Sequence, residues 1–564
     1  MALSPYDPRA TLHAELLRLT RGLGGLRLAL ADGVDRLEAL GGVMRLGMPN
    51  LDAYARERLG RTGRWLGDAR TLARRLTQLP LVREAYLSGR LSTSKAELLA
   101  RELVRNLRSG ECDEDGQRRA LESAKSMTVR QLRAHVVGQG ASVANVANVA
   151  PEGEEVRRPW VQVTRHVDRV DAVAFEGAIR LMNALGASSR SEAIEGLLAE
   201  GLTTLLNASN TKCPEWVQAP TVKVAPAGDP EPSHTHTDIG PAIEPAFIDA
   251  SIETIEGLDQ ALQSLAAEMA RRDLRLGRLA IEAEQVGLAR ALGHTTVDDY
   301  YREALGIAPS SMAARIALAR RVPCLYRLEA RIHNGAIGFE TATLLARVAA
   351  PTTEAAWLVL ADVLTVKLFR EQVDAAELHA RVQGLPLHSL SPPTHDQVED
   401  ARDLERAVFT MVLTDDPVGV VPVECDDGID DVPEALGTVP LRLTLPEDIA
   451  MFWRDLECLF ADAGTASCDL SFVAFLVAAT LANWRGVARL PAYGDIYLRD
   501  RFRCQNPTCR SRNCTPHHIV FRSHGGGDEP SNLVSLCERC HLDLVHGRHL
   551  TVTGQAPDAL TWTR

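Results

Sequence analysis

The chain has 564 residues, 45% apolar, 24% charged and only 5% aromatic, with a net charge of −12. Length predicts about three to five globular domains, and the wealth of Leu, Ala and Arg over aromatics excludes an all-β fold in favour of helices packed through aliphatic faces. Residues 1–10 lack the basic start and apolar core of a secretory signal, and the longest apolar stretch, residues 472–484, is too short to span a bilayer, so a cytoplasmic protein with no membrane partner is expected.

In chain order, apolar residues at helical spacing predict helices over 50–59, 65–76 and 81–88, and Ser92-Thr93-Ser94 supplies N-cap candidates for a further one. Arg74-Arg75 is either a solvated helix face or a partner contact. A break at 141–159 precedes a short alternating strand, Val161 to Thr164, and Ser191 is a candidate N-cap for an apolar helix. Residues 210–245 are rich in Pro, Thr and Ala without periodicity and read as a linker. The histidines of its SHTHT run are incidental to that linker or a metal tract.

Beyond the linker the pattern returns. A shift of 246 residues lays Leu46 on Leu292, Tyr54 on Tyr300, Gly60 on Gly306, Arg74-Arg75 on Arg320-Arg321, and Leu98 to Arg101 on Leu344 to Arg347. With a slightly smaller shift Met127 to Arg130 resembles Leu364 to Lys367. After a second break at 385–403, Leu441 to Thr444 repeats the earlier strand, and Ser471 caps the helix that repeats the one at Ser191. The expected fold is therefore mainly α. Residues 1–209 form one helical unit, 210–250 a Pro-rich linker and 251–485 a second copy, each unit with a small strand-helix segment, and 486–564 form a separate C-terminal module.

That module concentrates the chemistry. Of eleven cysteines, six are scattered singly through the first 500 residues and read as buried core residues. The other five, Cys504, Cys509, Cys514, Cys537 and Cys540, crowd together in a pattern typical of metal binding in a reducing compartment. The pairs Cys504/Cys509 and Cys537/Cys540 each close a turn, and together they offer four thiolates to one tetrahedral structural Zn²⁺. Cys514 is either an alternative ligand or, preferably, a small buried residue. Between the pairs lie adjacent histidines, His517-His518, then the turn Gly525 to Asp528, then Asn532, and His541 follows Cys540 directly. The overall acidity argues against a nucleic-acid partner, but six arginines between Arg499 and Arg522 face one acid, Asp500. Set beside the cysteines and histidines, they suggest a phosphate-facing surface rather than a merely solvated one.

The order Cys…Cys…His517-His518-Ile519…Arg522-Ser523…Gly-Gly…Asn532-Leu533…Leu536-Cys537…Cys540-His541 over residues 501–550 resembles the cysteine-bearing branch of the HNH endonuclease family. The duplicated region resembles, far less specifically, the helical domain that precedes HNH modules in bacterial repeat-family proteins. The first resemblance implies a ββα-metal fold, a DNA substrate and one catalytic divalent ion (Mg²⁺, Mn²⁺, Ni²⁺ or Zn²⁺). By position it makes His517 and His541 metal ligands, His518 the general base, and Asn532 the residue that orients the loop carrying His518. Many members have a further histidine four residues after the counterpart of His541. Here His546 lies five on, about 140° around an ideal α-helix, so it is a third metal ligand only where the helix ends or distorts before Gly547.

Elementary chemistry agrees with these roles. Histidine titrates near neutrality and can take a proton from water. A divalent ion polarises a phosphate and neutralises a leaving oxygen, and Arg522 can clamp a non-bridging oxygen. A zinc-stabilised DNA-binding module without catalysis is the alternative. The helical units are candidates for self-association or for binding a protein partner. Because the module carries its own zinc core, nicking activity is expected to survive deletion of residues 1–250.

Overall fold

The computed structural model describes residues 7–108, 113–135, 160–210, 248–249, 251–414, 438–462, 471–484 and 492–564. It is mainly helical with three two-stranded sheets. The linker from 211 to 245, with its SHTHT run, and the whole of the break at 141–159 lie outside the described residues.

The predicted helices form where capping and spacing put them. Asn50 caps Leu51–Leu59 by accepting from Ala53 N at 2.9 Å, and Thr62 caps Gly63–Thr77. Pro80 opens Pro80–Leu87. The apolar run forms the helix Phe472–Trp484, capped by the Ser471 hydroxyl. The helix Arg190–Asn210 starts two residues earlier than expected: the Ser189 hydroxyl, not that of Ser191, accepts from Glu192 N, and Ser191 lies inside. The break at 385–403 shrinks at its C-terminal end. Thr394 and Gln397 form a capping box, and His395–Leu413 is helical behind the two prolines that suggested a linker.

Two long helices, Pro8–Ala39 and Ile255–Gln285, pack along each other and share one core with Tyr54, Leu59, Tyr300 and Leu305. Contacts across this seam recur in pairs 246 residues apart. The Tyr54 hydroxyl donates to Asp259 Oδ1 at 2.9 Å, and the Tyr300 hydroxyl lies 3.0 Å from His13 Nδ1. The Gly60 carbonyl accepts from Glu340 N and the Gly306 carbonyl from the Ser94 hydroxyl. Glu57 accepts from Val366 N and Glu303 from Val129 N; here the acceptors are 246 residues apart, and the donors, in the segment of smaller shift, are 237 apart. A glycine is required at 60, where φ is +58° and an added Cβ would collide with Gly338 of the other half.

The strand β1 (Trp160–Asp168) pairs antiparallel with β2 (Thr438–Pro446), so each half contributes one strand to a shared ribbon. Val163 faces Leu443, its own counterpart in the repeated VQVT and LRLT segments. The ribbon's inner side joins Phe175, Leu197, Phe409, Trp453 and Phe472 in a second core.

Burial lowers the His13 imidazole to about 4, helped by His294 and Arg21. A histidine depressed in the folded state stabilises the fold above its unfolded pKa of about 6.5, and that contribution disappears as pH falls through the folded value. We expect His13 to cost roughly 3 kcal/mol of stability between pH 6.5 and 4. His13→Gln should flatten the fall in Tm over that window; an unchanged slope would show that His13 does not resist protonation.

Candidate active site

The C-terminal region begins with the short helix Gly494–Arg499 and is built on a second hairpin. β3 (Cys514–His518) pairs with β4 (Leu533–Cys537), His517 opposite Val534, and a helical segment Arg539–His546 follows. A last hairpin, β5 (Thr551–Gln555) with β6 (Ala559–Thr563), closes the small core, to which Val552 and Ala556 belong.

Cys504, Cys509, Cys537 and Cys540 are buried, with their sulfurs within 4.8 Å of one another. The backbone holds them in place: Cys504 N donates to Ser511 O, and Cys509 N to Asn506 O. Two donors aim at the sulfurs, Asn506 Nδ2 at 3.3 Å from Cys540 Sγ and Ser511 N at 3.5 Å from Cys509 Sγ. Hydrogen bonds from Cys504 and Cys509 hold the Cys537 thiol well below its ordinary range, while Cys504 and Cys509 drive that of Cys540 far above it. Four thiols in this space cannot all ionise without a cation among them, and four sulfurs with N–H donors behind them fit a closed, structural Zn²⁺ site. Cys514 stands outside the set and points its thiol at the Ser511 carbonyl, 3.7 Å away. Cys324 and Cys458 are exposed, contrary to the expectation that the scattered cysteines are core residues.

On the other side of the hairpin His517, His541 and His546 converge, their donor nitrogens also within 4.8 Å. His546 joins because the segment is not α-helical. Arg539–His546 closes i→i+5 bonds, as Gly547 N to Leu542 O at 3.1 Å shows, so residues five apart stack on one face. The ring of Phe521 lies flat on His546, with centroids 5.2 Å apart, and edge-on to His517. His517 is 2% exposed, and its Nε2 has no hydrogen-bond partner. Burial first, then His541 and His546, pushes its imidazole down to about 3, and burial lowers His541 as well. Both rings are therefore neutral near pH 7, each with a lone pair to give. The Thr515 hydroxyl donates to the Leu536 carbonyl and sits 2.9 Å from His541 Nδ1. It thus accepts from Nδ1–H and leaves His541 Nε2 bare. A buried, partnerless imidazole nitrogen facing two more imidazoles fits a divalent cation.

Residues 503–546 match the HNH endonuclease family. This segment is an HNH endonuclease domain. The helical region before it carries no family assignment, and no curated protein and no solved structure matches the chain. Among the described residues no helix is long and apolar enough to cross a membrane.

The loop between the HNH domain's two strands is laced by Asn532. Its Oδ1 accepts from Val520 N at 2.8 Å, and its Nδ2 donates to Val520 O and Gly527 O. Glycine is needed at 526, because a Cβ there would strike the Val520 carbonyl. This fold-back sets Asp528 beside His518, a juxtaposition hidden in a sequence where Gly525 to Asp528 reads only as a turn.

Five of the six arginines do not face outward. Arg501 and Arg503 pair with Glu371 and Glu405, and Arg512 with Glu405. Arg510 is buried beside Arg56, Arg370 and Glu340, and burial pushes its guanidinium down to about 10. Arg499 binds Asp500 and the carbonyls of Pro530 and Leu533. Burial works to raise Glu371, but Arg501, Lys367 and Arg503 outweigh it and hold the carboxyl at about 2. These charges seat the HNH domain on the helices Val366–Val382 and His395–Leu413 rather than on a phosphate backbone. Only Arg522 stays exposed, with 60% of its side chain accessible.

The seat extends to the zinc site. Lys367, fully enclosed, donates to the carbonyls of Cys504 and Asn506 at 2.8 and 3.0 Å. Arg180, from the N-terminal half, lies over Phe502 and donates to the Arg512 carbonyl. The domain is thus not self-sufficient. Deleting residues 1–250 removes Arg180 and bares Leu258, Leu262, Met269, Leu276 and Leu279, each worth about 1.5–3 kcal/mol when buried. We expect the truncated chain to aggregate without nicking activity, opposite to the sequence-based expectation. A monomeric, helical product in size-exclusion chromatography and circular dichroism would refute this.

Proposed function

We propose that the chain is a metal-dependent endonuclease that hydrolyses DNA phosphodiesters. The observation that carries this reading is the convergence of His517, His541 and His546, with His517 Nε2 buried and partnerless, inside an HNH domain, which implies a DNA substrate. A divalent ion on these imidazoles would supply Lewis-acid polarisation of the phosphate and charge neutralisation at the leaving oxygen.

The chain's own groups supply the rest. His518 is the general base: as a water oxygen attacks phosphorus and one P–O ester bond breaks, the water proton moves to the imidazole. Asn532 ties both ends of the loop and holds His518 at the cluster's edge. Arg522 meets a non-bridging phosphate oxygen. Phe521, stacked on His546, excludes water from the back of the ligand set. Cys504, Cys509, Cys537 and Cys540 hold the structural Zn²⁺ that fixes the hairpin. A binding-only module gains no support, since its case rested on His546 standing apart.

We read residues 1–209 and 251–485 as two copies of one helical unit and 486–564 as the nuclease module they carry. The paired contacts 246 residues apart support this reading. The test is nicking of supercoiled plasmid with Mg²⁺, Mn²⁺, Ni²⁺ or Zn²⁺ and with chelator alone. We expect nicked circles with at least one ion and none with chelator. Equal nicking in all lanes, or none in any, would remove the metal-dependent nuclease reading.

A further inference from the structure

Asp528 lies in a glycine-rich turn, yet it binds two of the groups that the nuclease reading uses. His518 Nε2 is 2.7 Å from Asp528 Oδ1. Arg522 Nη2 is 2.6 and 2.8 Å from Asp528 Oδ1 and Oδ2, and 3.3 Å from the Tyr493 hydroxyl. Arg522 Nε also approaches His518 Nε2, at 3.2 Å. One ring nitrogen cannot donate and accept at once. The carboxylate can only accept, and its contact is the shorter, so Nε2 carries the proton and Nδ1 holds the free lone pair.

We infer that Asp528 is a positioning residue that fixes His518 in the tautomer able to take a proton at Nδ1 and parks Arg522 beside His518 until a phosphate displaces it. The inference rests on His518 being the general base. The loop is built to deliver Asp528: Asn532 pins Gly527, the residue before it, and Val520, two residues after His518. Both Asp528 and Arg522 are exposed, so an incoming phosphate reaches this ion pair without unfolding anything. As the phosphate takes Arg522, the carboxylate keeps His518 Nε2–H and goes on holding the ring.

Asparagine at 528 keeps the size but trades one acceptor for an N–H and loses the charge: with the N–H in place of Oδ2 it faces Arg522 while an uncharged Oδ1 holds His518 more weakly, and with the amide flipped the bond to His518 is lost. Glutamate keeps both acceptors. We expect Asp528→Asn to lower kcat for cleavage of a short DNA duplex about 10–100-fold, the usual cost of removing an orienting partner. KM should not rise, because freed Arg522 still meets phosphate. Asp528→Glu should recover most of kcat. In the His518→Ala background Asp528→Asn should add little, since a positioning residue has nothing left to position. Zinc content, Tm and the visible spectrum of Co²⁺ at the histidine cluster should stay as in the wild type.

Three results would overturn the proposal: wild-type kcat in Asp528→Asn, a loss in KM alone, or a full further loss in the His518→Ala background. If His518→Ala is slow while Asp528→Asn is not, only the positioning role falls. If His518→Ala cleaves at the wild-type rate, the general-base reading falls and takes the positioning role with it.

Discussion

His518→Ala is expected to lower metal-dependent cleavage about 10²–10⁴-fold, the range that a positioned proton acceptor contributes. The loss should appear in kcat, because His518 belongs to neither cation set and DNA still meets Arg522 and the histidine cluster. His517 lies one residue away on β3 and should respond differently. Its ring stands against the other two imidazoles, with centroids 4.8 and 5.5 Å away. His517→Ala should therefore weaken Co²⁺ or Mn²⁺ binding, and raising the metal concentration should restore part of the rate. Adding metal should do nothing for His518→Ala. Single-turnover rates at rising Mn²⁺ separate the two variants, and metal rescue of His518→Ala would move that residue from proton transfer into the ligand set.

Both histidines were legible in the sequence because adjacent imidazoles, an asparagine and a third histidine occur there in a fixed order. Local rules also placed most helices, since caps such as Asn50 and Ser471 and the apolar spacing act within a few residues. Long-range pairing stayed hidden. Nothing inside VQVT says that it joins LRLT some 280 positions on, because strand register depends on partners the segment does not contain. Charge was visible but its direction was not. Arg501, Arg503 and Arg512 looked like a phosphate surface, and only the fold shows Glu371 and Glu405 waiting for them. His546 hung on the helix period: five residues is the wrong spacing for an α-helix and the right one for a chain that closes i→i+5. Asp528 escaped notice because glycines before it made the segment a turn, and its two partners are brought to it by Asn532.

Cys540→Ser should have the largest effect on structure. Of the eleven buried residues in the small C-terminal core, four are the cysteines themselves. The remaining valines, leucines and alanine cannot hold two hairpins and a helical turn together, so folding free energy must come from the ion. Structural zinc in comparably small units contributes about 10–16 kcal/mol at neutral pH. Wild-type protein should carry about one tightly held zinc per chain, and Cys540→Ser close to none. Loss of the site frees the Cys504 and Asn506 carbonyls from their turn, which leaves Lys367 buried without acceptors and loosens the seat on Val366–Val382. The helical halves pack together in cores that take only Phe502 from the C-terminal region among their buried residues, so circular dichroism should retain most of its helical signal while limited proteolysis cuts between 486 and 564. Cys514→Ser is the control. Its sulfur faces the Ser511 carbonyl outside the four-sulfur set, so zinc content and protease resistance should match the wild type. Zinc retained by Cys540→Ser and lost by Cys514→Ser would reassign the ligands; zinc lost by neither would leave the hairpin standing on its apolar contacts alone.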